Sequence, residues 1–140
     1  MKLWLSNSLP MAWIWPVSCA AALAVLDVIE EQDLQYNALD VGAHLVDGLQ
    51  RLADRHDCIG DVRGSGLFLA VELVSDRDAR TPATELTARV VNDLRDRGVL
   101  TSSIGPDANI LKLRPPMVLS ASDADYMLAM LSASLGSLGS

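Results

Sequence analysis

Aromatic side chains, lysine, cysteine and histidine are scarce in this sequence, and each shortage argues against a class of function. Aromatics make up 4% of the chain, with Phe68 the one phenylalanine and Trp4, Trp13 and Trp15 crowded at the start. Lysine occurs only at Lys2 and Lys112, and the basic residues stand singly within a net charge of −7. A nucleic-acid surface needs clustered Lys or Arg to displace counterions from phosphates, so no nucleic-acid partner is expected. Cys19 and Cys58 have no C-x-x-C partner and no His at zinc-ligand spacing. The expectation is a reduced, cytoplasmic protein without a metal. His44 and His56 fall too far apart along one expected helix to share an ion. Gly64-Ser65-Gly66 lacks the third glycine of a dinucleotide fingerprint, since Leu69 stands in its place and a strand, not a helix, follows. No serine sits in a G-x-S-x-G setting.

A long apolar run is also missing. Met1 to Trp15 is apolar with Lys2 near its start, but Asn7, Pro10 and Pro16 interrupt it. A membrane span needs about 20 predominantly apolar residues, so no membrane partner is expected. Lys2 and Ser18-Cys19-Ala20 imitate a lipoprotein signal, with Pro16 where such a signal carries leucine. An exported lipoprotein is therefore a competing reading of this segment.

What is present suits one domain. The 140 residues are half apolar and about a fifth charged, enough to bury roughly two thirds of the unfolded chain's surface. Val17 to Gln32 reads as a helix with Pro16 at its first turn and an apolar face of Ala21, Leu23, Ala24, Leu26, Val28 and Ile29. Asp33 caps a second helix, Leu34 to His56, with a stripe of Ala38, Leu39, Gly42, Leu45, Val46, Leu49, Leu52 and Ala53. Gly42 lies inside that stripe, as a device for close packing. The stretch 59–74 reads as two strands joined through Gly64 and Gly66, the second apolar enough that both its faces should be covered. Thr81 and Pro82 start a third helix, with Leu86, Val90, Val91 and Leu94 inward, ending at Gly98. Val99 to Ser102 is a third strand, 105–109 a turn, and Ile110 to Arg114 a fourth strand ended by Pro115-Pro116. Ser120 to Asp123 is a capping-box start for a last helix through Leu135, and the Gly/Ser tail should fray. The expected fold is α/β: a small sheet of about four strands with helices packed on it.

On the fourth strand, Ile110, Lys112 and Arg114 share one face and Leu111 and Leu113 the other. An arginine held at a strand end by two prolines can present its planar fork to a carboxylate or phosphate. An ordinary solvated or ion-paired surface arginine is the alternative.

Three stretches are familiar in order and spacing: Pro16 to Leu26, Gly60 to Phe68, and Leu111 to Met117. Together they resemble the C-terminal part of class III pyridoxal-phosphate-dependent aminotransferases, over Pro16 to about Leu135. The wording is most similar to the branch of mitochondrial-type alanine–glyoxylate aminotransferases and ethanolamine-phosphate phospho-lyases. The resemblance implies the small C-terminal domain of a fold-type I enzyme, spanning 16–140, after an unmatched segment 1–15. It implies transaminase chemistry on an amino-acid or keto-acid substrate, a homodimer with sites at the interface, and Arg114 as the residue that binds the substrate carboxylate. The arginine matching Arg63 has a structural or site-supporting role.

The departures bear on activity. The family's Schiff-base lysine and the acid that pairs with the pyridine nitrogen come from a large domain that this sequence does not contain. Lys112 matches a non-catalytic position. The family's phosphate-holding Thr-Phe-Gly-Gly-Asn stretch is replaced by Met11-Ala12-Trp13-Ile14-Trp15. The expectation is a fragment that neither holds pyridoxal phosphate nor turns over alone, and that offers no catalytic or cofactor-binding residue of its own. A stand-alone binding or assembly module that docks on a full-length relative is the alternative.

Overall fold

The computed structural model describes residues 14–138. The readings made on residues 1–13, signal-like or unmatched, lie outside the described residues. The described residues divide into two compact units, one ending at Gln35 and the other beginning at Tyr36. The first holds helix α1 (Ile14–Glu31). It begins earlier than Val17, because proline at the third helical position lacks only an N–H that the first turn leaves unpaired in any case. Its expected apolar face is not buried: Leu23 and Leu26 are exposed, and Ile29 is half-buried.

The second unit carries all but the first two residues of α2 (Leu34–Ala53), and β1 (Ile59–Ser65), β2 (Phe68–Asp76), β3 (Thr81–Pro82), α3 (Thr84–Asp96), β4 (Ser102–Ile104), β5 (Ile110–Leu113) and α4 (Ala121–Leu138). The described sheet has five strands in the order β1-β2-β5-β4, with β3 joined to β2, and every pairing is antiparallel. The apolar stripe of α2 drives its packing. Leu45, Leu49 and Leu52 join Leu69, Val71, Leu73 and Leu111 from the sheet, Val90 and Leu94 from α3, and Leu131 and Leu135 from α4 in one core. Val41 belongs to this core and was not in the expected stripe, while Leu39 is exposed. A stripe of three-or-four spacing drifts around the helix, and these two positions straddle its edge.

Five expectations in this unit need correction. The second strand is buried on one face only: Leu69, Val71 and Leu73 are buried, whereas Phe68 is exposed and Ala70 and Glu72 are half-buried. An antiparallel sheet tolerates one solvated face, and the alternation of Phe68, Ala70 and Glu72 follows that pattern. Thr81 and Pro82 do not open α3. The Ala83 N–H donates to the Leu73 carbonyl at 3.1 Å, which keeps the chain extended beside β2, and Pro82 sits opposite Val74. Helix α3 then starts at Thr84, with Ala83 as an N-cap that offers no side-chain acceptor. The third expected strand, Val99 to Ser102, is displaced to Ser102–Ile104. The N–H groups of Gly98 and Val99 are already used to close α3, bonding to the carbonyls of Arg95 and Leu94 at 3.0 and 2.8 Å, with Gly98 at φ +82°. That is a Schellman cap, and it withholds Val99 from any ladder. Finally, α4 continues through Gly136 to Leu138. The second helix also stops at Ala53, short of His56.

The capping box is borne out. The Ser120 hydroxyl accepts from the Asp123 N–H at 3.2 Å, and the Ser120 N–H donates to the Asp123 carboxylate at 3.3 Å. The side-chain hydrogen bond from Ser120 also holds the Asp123 carboxyl below the usual carboxylate range.

Gly42 acts as the stripe suggested. A Cβ built there would lie 2.3 Å from the Gly66 carbonyl oxygen, so α2 meets the β1–β2 turn backbone to backbone. Gly66 itself adopts φ +52°, which an L side chain rarely does. The replacement Gly42→Ala is expected to lower stability. The helix gains about 1 kcal/mol in propensity, but overpacking against rigid backbone costs about 1–3 kcal/mol. Gly136→Ala, whose Cβ would meet nothing within 4 Å, is the control and should be neutral or stabilising. Thermal unfolding of both variants checks this; a Gly42→Ala protein as stable as the unaltered chain contradicts the close contact.

Candidate functional site

The solvated sheet face is built by register. Leu69 pairs with Leu113 and Ala70 with Lys112 across β2 and β5, while Ser102 pairs with Lys112 and Ile104 with Ile110 across β4 and β5. Arg63 pairs with Ala70 on the other side. One row of this face therefore reads Arg63, Ala70, Lys112, Ser102, and Phe68 comes beside Arg114 at the row's flank. β5 ends at Leu113, one residue short of the expected strand, so Arg114 follows directly after it, two residues from Lys112.

The arginines of this face are held in different ways. Arg63 donates to the carboxylates of Asp61 and Glu72, the latter at 2.9 Å. Those hydrogen bonds, Asp61 first, raise the guanidinium above its usual range. Its donors are engaged in an ion-pair bridge between β1 and β2, which fits a supporting part. Arg114 is exposed, and its guanidinium lies over the Phe68 ring, 4.3 Å from the centroid. Among the described residues no carboxylate comes within ion-pair distance of Arg114 or Lys112. In a chain with 18 acids, two adjacent cations without one are ready to accept an anion.

The segment after Arg114 is fixed from α2. The Asn37 amide donates to the carbonyls of Met117 at 2.7 Å and Leu119 at 3.1 Å. With Pro115 and Pro116 this leaves the exit from β5 little freedom. Sequence reasoning missed Asn37, because its partners lie some eighty residues away and nothing local marks it. Lys112, expected at a non-catalytic position, lies between Ala70 and Ser102 on this face.

Beside Arg114 runs a groove of about 430 Å³, with Val99, Leu100, Leu113, Pro115, Met127 and Asp123 among the residues of its wall. A second groove, about 580 Å³, lies where β2 meets β3, with Cys58, Arg77, Glu85 and Arg89 in its wall. Burial pushes the Cys58 thiol up, so it is a poor nucleophile. His44 contacts Asp125 at 2.6 Å, linking α2 to α4 away from any nucleophile pair. No group of His, Cys, Asp and Glu among the described residues is arranged to hold a metal, and none of the described helices is long and apolar enough to cross a membrane.

Residues 15–135 match the family described as aminotransferase class-III. An alanine–glyoxylate aminotransferase 2-like protein of Drosophila melanogaster is 48% identical over 114 residues, which is 81% of this chain and 23% of that protein. A phospholyase from Arthrobacter, solved in complex with phosphoethanolamine, superposes with a TM-score of 0.84 at 42% identity, over 88% of this chain and 29% of that one. An amine transaminase from an uncultivated Pseudomonas species, solved in its PLP-bound form, gives a TM-score of 0.80 at 42% identity, over 89% and 28%. The chain thus spans about a quarter of the length of the relatives it matches. With the α/β fold, the order of the three motifs and this breadth of similarity, the chain belongs to the class III aminotransferase family.

Proposed function

We propose that this chain contributes the acid-recognising sheet of a pyridoxal-phosphate-dependent class III transaminase, which moves an amino group between an amine or amino acid and a keto acid or aldehyde. The observation that carries the reading is the pair Lys112, on β5, and Arg114, just past its end, with no carboxylate in ion-pair distance of either among the described residues. Arg114 grips the substrate carboxylate through its planar fork, and Lys112 adds a point charge beside it.

Pyridoxal phosphate, when bound, supplies the electron sink for such a transfer. Its site needs a lysine for the Schiff base, an acid for the pyridine nitrogen and donors for the phosphate. The described residues do not make that set. Their one lysine is Lys112, and the acids of its sheet face, Asp61 and Glu72, are already bonded to Arg63. This chain's own part is to bind and orient the acid. The reactive lysine then belongs to another segment or subunit, and catalysis needs a homodimer or association with a full-length relative. The free cysteines support a reducing, cytoplasmic setting.

Exposed apolar side chains on α1 favour association: Val17 is 71% exposed and Leu23 61%. Light scattering on the isolated chain is expected to give a mass above its 15.0 kDa, reduced towards that value by Leu23→Asp. A monomer at every concentration contradicts association between copies.

The acid-binding role is tested by titrating pyruvate into the chain at constant ionic strength, followed by NMR. Arg114→Ala and Lys112→Ala are each expected to weaken binding about tenfold, the low end for a hydrogen-bonded charge. Arg114→Lys, which keeps the charge without the fork, should fall between. Unchanged binding by Arg114→Ala would remove Arg114 from the role.

A further inference from the structure

The geometry points to Phe68 as a positioning residue: we infer that its ring holds the Arg114 guanidinium in place while leaving its donors open to an acid. This rests on the acid-binding reading of Arg114. Phe68 is the one phenylalanine of the sequence, and it stands outside the core, 55% exposed, at the first position of β2. The register that pairs Leu69 with Leu113 sets Phe68 against Arg114, and the guanidinium carbon lies 4.3 Å from the ring centroid.

The way a cation is held decides what it has left to give. A carboxylate holds an arginine by taking its N–H donors and cancelling its charge. Arg63 is held so by Asp61 and Glu72, and Arg97 by Asp93 at 2.7 Å. An aromatic face attracts the cation through the ring quadrupole. When a guanidinium stacks flat on a ring, its five N–H groups point out from the edge of its plane. Charge and donors both survive. An exposed arginine without such support loses rotamer freedom when it closes on a ligand. One already stacked has lost part of that freedom beforehand, which favours binding.

Phe68 is itself fixed. It lies two residues beyond Gly66, whose backbone meets Gly42 of α2, and it pairs with Ser65 at the end of the hairpin. The chain thus runs from a backbone contact between α2 and the turn, through Phe68, to the orientation of Arg114.

The experiment is NMR of the arginine side-chain Nε–Hε groups in the full chain, with Phe68→Leu and Phe68→Tyr as variants and pyruvate as the probe. Phe68→Leu keeps an apolar side chain at an exposed position, so the fold is expected to survive. The Arg114 Hε signal should carry a ring-current shift, lost in Phe68→Leu with a gain in side-chain mobility and kept in Phe68→Tyr. Pyruvate binding should weaken about two- to fivefold in Phe68→Leu and stay within twofold in Phe68→Tyr. An Arg114 signal indifferent to Phe68→Leu overturns the inference, as does pyruvate binding that this variant leaves unchanged. An Arg114 that loosens in Phe68→Leu, in a chain that does not bind pyruvate at all, supports the stacking and instead overturns the acid-binding reading.

Discussion

Side-chain alternation on an antiparallel sheet buried on one face is the constraint from which the rest of this unit follows. It sends Leu69, Val71, Leu73, Leu111 and Leu113 into the core and leaves Phe68, Ala70, Glu72, Ile110 and Lys112 on the other side, with Arg114 beyond. A shift of one residue in the β2–β5 register would exchange these sets. Burying a charge without a partner is costly, so the charges oppose such a slip together with the leucines. At one end the buried Asn109 reinforces the register: its side-chain amide donates to the Leu73 carbonyl at 2.9 Å, while its main-chain carbonyl accepts from the Leu73 N–H at 2.8 Å.

Around that sheet, three contacts place the cationic corner. Gly42 lets α2 touch the hairpin turn, which sets where β2 begins and therefore where Phe68 stands. Asn37, from the same helix, holds the carbonyls that follow the proline pair. The Schellman cap at Gly98 ends α3 beside the groove whose wall includes Arg114. One helix thus reaches both the turn before Phe68 and the loop after Arg114, although these are far apart in sequence. The charges are sorted in the same way. Acids near Arg63 convert it into a strand clamp, whereas among the described residues no carboxylate reaches ion-pair distance of Arg114 or Lys112.

Much of this was legible in the residues. The stripe of α2, the place of Gly42 within it, the glycine end of α3, the capping box at Ser120 and the alternation along β5 all rest on neighbours within a few positions. The elements misread are those in which a distant partner outbids a local signal. Thr81-Pro82 has the form of a helix start, but the Leu73 carbonyl holds the next residue in an extended segment. Val99 to Ser102 has strand character, but the helix cap takes the Val99 N–H first. The apolar look of 67–74 hid a second face, because Phe68 and Ala70 count as apolar wherever they point. Within the site, Arg114 stood out through its prolines and through family resemblance. Asn37 and the Phe68 stack did not, since a hydrogen bond across eighty residues and a ring opposite a guanidinium leave no periodic trace.

The central claim is that the corner formed by Phe68, Lys112 and Arg114 keeps its positive charge available for an acid. A crystal of the chain soaked in pyruvate tests it most directly. The account predicts a carboxylate seated at hydrogen-bond distance from the Arg114 fork, beside Lys112, with the guanidinium still lying on Phe68. Arg114 turned away from Phe68 onto one of the chain's own carboxylates, with no pyruvate on this face, would contradict it.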